Sequence, residues 1–246
     1  GRKGPQLATR LPQSSPASDD EVSQLRTIVG SLLYYSLAID STTIPTAGAL
    51  ACQQACATAH TLKAAERLLG YVAKHPNASI TYRPSDMLLR AHSDASFLSR
   101  PNSGSVAGGY QYLGNRQNNH AFNHPILTFS TLIPVIVASA TEAEYAAVYA
   151  NCILACDVRR TLANMGYPQP PTPILTDNEC AVGLANGSLK IKMAKSINMR
   201  LHWVQDRVKR NQFTVSHIPG STNIADFFIK PLPNQSHHHL TPYLVN

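Results

Sequence analysis

From residue 91 onward the chain carries only eight acidic side chains: Asp94, Glu142, Glu144, Asp157, Asp177, Glu179, Asp206 and Asp226. Three stand where solvent-seeking groups are rarely found. Asp94 sits inside the apolar stretch Ala91-His92-Ser93-Asp94-Ala95-Ser96-Phe97, Asp177 closes Ile174-Leu175-Thr176, and Asp226 is flanked by Ile224-Ala225 and Phe227-Phe228. Glu144 opens a long Ala-rich helical stretch. Carboxylates gathered at strand ends repel one another and need a counter-charge, which a hard divalent cation with oxygen ligands supplies. Each acid also has a plain structural use. Asp177 can cap a helix, and Glu142 and Glu144 can favour a helix N-terminus as first-turn charges.

The elements that must position these acids follow from pattern and punctuation. The spacing of Leu25, Ile28, Val29, Leu32 and Leu33 predicts a helix from Glu21, and a second Ala/Leu-rich helical stretch runs over 47–72 until His75-Pro76-Asn77 stops it. Strands are expected over 88–97, 105–113 and 126–129, then a long helix over 141–165 ended by Gly166. A strand at 174–176, a basic helix at 196–210, a strand at 213–217 and a last short helix at 222–230 complete the chain. A meander followed by alternating strands and helices implies an α/β fold with a mixed sheet. A polar tail covers residues 1–20, and residues 21–84 form a small helical subdomain.

Length and composition narrow the classes. The chain has 246 residues, 43% of them apolar, a formal net charge of +7 and only 14% charged residues, against about 25% in ordinary domains. That is chain enough for a real core, and the low charge is the opposite of a disordered composition. No apolar run reaches the roughly 18–20 residues of a membrane span, and the polar first 16 residues lack the apolar core of a secretory signal. The expectation is a soluble, globular, intracellular protein. The five cysteines argue against a closed disulfide framework, and Cys52/Cys56 and Cys152/Cys156 read as small apolar residues, each pair on one helix face.

The order strand-Asp, helix-Glu, strand-end-Asp, late-helix-Asp resembles the ribonuclease H domain of long-terminal-repeat retrotransposons of the Ty1/copia type. The motifs that carry the resemblance are SDAS at 93–96, ATEAEYAA at 140–147, LTDNECAVGLA at 175–185 and HIPGSTNIADFFIK at 217–230. SGSVAGGYQYLG at 103–114 resembles the second strand of that domain. IVGSLLYYSLA at 28–38 and HTLKAAERLLGYV at 60–72 resemble the helical connection between polymerase and ribonuclease H. Two places depart from the family pattern. Ser41-Thr42-Thr43-Ile44-Pro45 stands where an Arg-Pro-Asp is usual, and Lys195-Ser196 where Lys-His is common.

The resemblance implies a ribonuclease H-like fold, a mixed five-stranded sheet flanked by helices, over residues 85–231. A helical connection or thumb-like segment over 21–84 would precede it, and 232–246 would be a C-terminal tail. Asp94, Glu144, Asp177 and Asp226 would bind two Mg2+ ions, for which Mn2+ could substitute, and Glu144 is preferred to Glu142 because it directly precedes the apolar helical run. His217 matches loosely a histidine that assists product release. The implied activity is hydrolysis of the RNA strand of RNA–DNA hybrids; the alternative is a catalytically idle module that binds nucleic acid or a partner. The polymerase part of a reverse transcriptase, or a larger nucleoprotein assembly, is a further expected partner, in a cytoplasmic particle or the nucleus, with no membrane role. Residues 190–210 carry seven basic side chains against Asp206 alone, which fits a phosphate-tracking surface built on Lys192, Lys195, Arg200, Lys209 and Arg210. Trp203 in the same helix is expected to anchor it to the core. Ser96 and Asn178 are candidate hydrogen-bonding partners for a 2′-hydroxyl.

Overall fold

The computed structural model describes residues 15–100, 103–116, 123–189, 195–230 and 232–246. Three helices come first: α1 (Asp19–Ala38), α2 (Ile44–Ala51) and α3 (Ala59–Lys74). Ser18 and Glu21 form a capping box at the start of α1. Ser18 Oγ accepts from the Glu21 N–H, and Glu21 Oε2 accepts from the Ser18 N–H at 2.7 Å. Leu25, Val29 and Leu32 of α1 pack on Ala47 and Leu50 of α2 and on Ala65 and Leu68 of α3.

The helical stretch expected over 47–72 is two helices rather than one. The chain breaks after Ala51 and turns through Gln54–Cys56, leaving Cys52 and Cys56 exposed instead of sharing a helix face. Cys152 and Cys156 do lie on one helix, α4 below, the first buried and the second half-buried.

The sheet is built from β1 (Leu88–Arg100), β2 (Gly104–Gly114), β3 (Pro125–Leu132), β4 (Thr172–Thr176) and β5 (Phe213–His217), in the order β3-β2-β1-β4-β5. β1, β2 and β3 pair antiparallel; β4 and β5 add parallel to β1. This is the mixed five-stranded sheet that the resemblance implies. The crossover from β3 to β4 is α4 (Ala140–Asn164), followed by α5 (Glu179–Ala185) and α6 (Lys195–Lys209).

Pleat alternation assigns the faces. Leu89 and Ala91 on β1, Ile174 on β4 and Phe213 and Val215 on β5 meet Tyr145, Val148, Cys152 and Ala155 of α4. On the other face Tyr110 and Tyr112 of β2 meet Ile44, Ile224, Phe227, Phe228, Leu240 and Leu244. A buried polar joint sits where α4 crosses the strands. Asn151 Nδ2 donates to the carbonyls of His92 and Gly108, and Gln111 Nε2 donates to the Asn151 carbonyl.

The second face is closed by residues the sequence pattern did not organise. Instead of a regular helix at 222–230 there is a 3-10 turn at Ile224–Phe228, followed by a further helix, α7 (Asn234–Leu240). Residues 232–246, read from the sequence as a tail, fold back so that Leu240 and Leu244 are buried. Leu244 is fully buried among aromatic rings, so Leu244→Ala should cost about 2–5 kcal/mol. Thermal unfolding checks this; a change within about 0.5 kcal/mol, the ordinary surface value, would mean that the segment contributes nothing to the core.

Candidate metal centre

Asp94 lies mid-way along β1, opposite Gly108 of β2, and is 3% exposed. Its Oδ1 accepts from the Ala95 N–H at 2.7 Å, which fixes the carboxylate direction. Glu144 lies in the opening turns of α4, which Ser139 caps by accepting from the Glu142 N–H. Asp177 follows β4 directly, and the next residue, Asn178, caps α5 through Oδ1. Three elements thus deliver three carboxylates to one point. Oxygens of Asp94, Glu144 and Asp177 lie within 4.8 Å of one another.

Glu142, two residues earlier, is spent on structure: its Oε2 accepts from the Ala138 N–H at 2.7 Å. Helical geometry separates the two glutamates by about 200°, so only one of them can face the sheet end. That one is Glu144.

Asp226 arrives by a different route. The 3-10 turn that carries it is docked on β1 by two buried side chains. Asn223 Nδ2 donates to the Ser93 carbonyl at 3.1 Å, and His92 Nδ1 accepts from the Ile224 N–H at 3.2 Å. Burial depresses the His92 pKa to about 4, so the imidazole stays neutral and keeps an acceptor for that bond. Gly108 permits the close approach, since a Cβ there would meet Ile229 Cγ2 at 2.7 Å and the Ala225 carbonyl at 3.0 Å. Asp226 is close enough for its charge to act on Asp94, but it lies outside the tight trio and is bound by Lys230, Nζ to Oδ1 2.5 Å.

The electrostatics follow from crowding. Burial, then the charges of Asp177 and Asp226, raise the Asp94 pKa to about 8, with the Ala95 N–H and Lys230 opposing. Burial, then the charges of Asp94 and Asp177, raise Glu144 to about 9. Glu144 Oε2 is also buried with no hydrogen-bond partner. An all-oxygen donor set, short of positive charge and with an unsatisfied buried carboxylate oxygen, fits a hard divalent cation such as Mg2+ or Mn2+. Asp94, Glu144 and Asp177 are the residues placed to hold one.

The other candidate residues are placed as follows. His217 ends β5, pairs in register with Thr176, the residue before Asp177, and is exposed. Ser96 Oγ donates to the Ile229 carbonyl at 2.9 Å, so it ties the Asp226 turn to β1. Asn178 uses Oδ1 for the α5 cap. On α6, the Arg200 guanidinium lies 5.4 Å from the Tyr149 ring centre, Arg210 pairs with Asp206 at 3.0 Å, and Lys209 is exposed. Trp203 is half-buried against the core and meets the Tyr149 ring edge-on at 5.4 Å. Lys192 and the side chain of Lys195 lie outside the described residues.

Sequence reasoning missed three contributors: His92, Asn223 and Lys230. The loop glycine Gly220 is a fourth, because a Cβ there would stand 2.9 Å from Asp177 Oδ2. Only the Lys at the end of the HIPGSTNIADFFIK block offered a signal, a lone cation four residues after an acid.

No family model matches the chain. Curated relatives do. The retrovirus-related Pol polyprotein from transposon RE1 of Arabidopsis thaliana is 29% identical over 174 residues, 70% of this chain and 11% of the polyprotein. That from transposon TNT 1-94 of Nicotiana tabacum is 24% identical over 172 residues, 70% of this chain and 12% of the polyprotein. The chain is thus similar to plant retrotransposon Pol polyproteins and spans about a tenth of their length. Among solved structures, LC11-RNase H1 in complex with an RNA/DNA hybrid is similar over 57% of this chain and 93% of its own, at 15% identity and a TM-score of 0.43. RNase H1 of the archaeon Halobacterium salinarum NRC-1 is similar over 58% and 94%, at 16% identity and a TM-score of 0.38. No helix among the described residues is long and apolar enough to cross a membrane.

The raised carboxylates set a pH dependence. Without metal, the folded state retains protons that the unfolded chain releases near pH 4, so stability falls as pH rises from about 4 to about 8–9. Asp94→Asn should flatten this slope. It should also raise the metal-free melting temperature at pH 8 by ~2–4 °C, the equivalent of about 1 kcal/mol at this size. A lower melting temperature would instead mark Asp94 as a structural acid.

Proposed function

We propose that this chain is a ribonuclease H-type endonuclease that hydrolyses the RNA strand of RNA–DNA hybrids, as part of a Ty1/copia-type retrotransposon reverse transcriptase. The observation that carries the reading is the convergence of Asp94, Glu144 and Asp177 within 4.8 Å, from a strand, a helix and a strand end, with too little positive charge beside them. Bound divalent cations would supply the charge that activates water and stabilises the leaving 3′-oxygen. In this reading Asp94, Glu144 and Asp177 would hold the cations, with Asp226 as a fourth ligand. His217, exposed at the end of β5 opposite Thr176, is the residue this reading assigns to product release. Asn178 offers its amide nitrogen to a ribose hydroxyl, because its oxygen is committed to the α5 cap. The similarity to Pol polyproteins supports a setting beside a polymerase domain in an intracellular nucleoprotein particle.

Arg200 and Lys209 are nine residues apart on α6, which at about 100° per residue puts them on opposite sides of the helix. Only one of the two can follow a given phosphate backbone, so neutralising both should reduce the salt slope of hybrid binding by about one unit, not two. A fall of two units, measured by binding over a salt series, would require a substrate that wraps the helix.

The deciding experiment is incubation with a labelled hybrid in Mg2+, in Mn2+ and in chelator. Cleavage confined to the RNA strand and dependent on the cation is expected. Glu144→Gln and Asp177→Asn should each lower the rate by more than about a hundredfold, since even outer-sphere changes at metal sites reach that figure. Glu142→Gln should be mild. Tight hybrid binding without cleavage in either metal would favour the idle binding module.

A further inference from the structure

Among the described residues the acid site has one cation of its own. Lys230 Nζ lies 2.5 Å from Asp226 Oδ1, and Asp94 and Asp177 also act on its charge. Among the described residues no other Lys or Arg forms an ion pair with any of the four acids. The backbone that presents Lys230 is anchored to two strands, because Ser96 Oγ of β1 donates to the Ile229 carbonyl and Ser130 Oγ of β3 to the Phe228 carbonyl. The stem is therefore fixed at its root, while the side chain is 51% exposed. An ammonium on such a stem can leave its carboxylate and be hydrated at little cost.

We propose that Lys230 is the site's resident counter-charge, holding Asp226 while no cation is bound and competing with the divalent cation for that carboxylate. The ammonium occupies Oδ1 of the carboxylate that a further cation would use. Cation and ammonium also repel each other across the same few ångströms. Among the described residues, Asp226 is accordingly the one acid of the four that must exchange an ionic partner before it can ligate. This rests on reading the four acids as a cation site and not on the nuclease activity itself.

The test is calorimetric titration of Mn2+ into metal-free protein, paired with melting curves with and without Mn2+. Lys230→Met should tighten Mn2+ binding by about five- to tenfold, at the low end of ordinary coupling between sites. It should also lower the metal-free melting temperature and widen the gap between metal-free and loaded protein. Lys230→Gln should behave the same way and guards against a folding defect specific to Met. Lys230→Arg, which keeps the charge, should stay near wild type. In an Asp226→Asn background the Lys230→Met effect on affinity should vanish, because the shared carboxylate is gone. Unchanged or weaker Mn2+ binding, with melting temperatures lowered equally in both states, would overturn the proposal and leave an ordinary surface ion pair. Wild-type protein that binds Mn2+ but does not cut hybrids would sink the nuclease reading and leave this one standing; absence of Mn2+ binding would sink both.

Discussion

Like-charge repulsion among buried carboxylates is the constraint around which this structure is arranged. Asp94 and Glu144 both sit in a largely buried corner, and each is held above its ordinary pKa first by burial and then by its acidic neighbours. A fold that brings such groups together sacrifices stability at that spot and must recover it elsewhere. The recovery is visible on both sides of the sheet. Aliphatic residues of β1, β4 and β5 pack under α4 on one face, and a Tyr/Phe cluster fills the other.

The sheet order makes the convergence possible. Placing β1 between β2 and β4 puts Asp94 next to the strand that Asp177 terminates, and the crossover helix between β3 and β4 begins where Glu144 can reach both. The parallel β1–β4 pairing at Ala91–Ile174 and His92–Leu175 sets the height of Asp94 relative to Asp177. One residue of slip would send the Asp94 side chain to the opposite face. Asp226 depends on weaker, more specific contacts, through Asn223, neutral His92 and the missing side chain at Gly108. Three acids are thus fixed by sheet and helix geometry, and the fourth by a docked turn whose charge Lys230 balances.

The basic helix shows how a count of charges differs from a surface. Its positive residues do not act as a block. Arg210 is paired with Asp206, the Arg207 guanidinium lies 4.9 Å from the Trp203 ring centre, and Arg200 lies over Tyr149. Several of these guanidinium groups are already serving α6 itself. The charge available to a phosphate backbone is smaller than the formal excess along the segment.

How much was legible in the sequence depended on how local the cause was. Period-two and helical patterns located all five strands and the long helix, because alternation of side chains and caps such as Gly166 are set by nearest neighbours. The three acids at the heart of the site could be named because an Asp within an apolar strand, an Asp at a strand end and a Glu opening an Ala-rich helix are each locally anomalous. The break between α2 and α3, the folding back of residues 232–246 and the 3-10 turn under Asp226 were not legible, since each is stabilised by contacts with residues far along the chain. Leu244 reads as a chain-end apolar residue until Tyr110 and Phe228 surround it. His92 reads as a strand residue until the Ile224 N–H, 132 positions away, donates to it. The sequence by itself determined which residue types could bind a cation and which elements carry them. Only the tertiary structure decided that Asp226 stands apart from the other three acids and that Lys230 holds it, because facing is a property of packed surfaces and not of neighbouring letters.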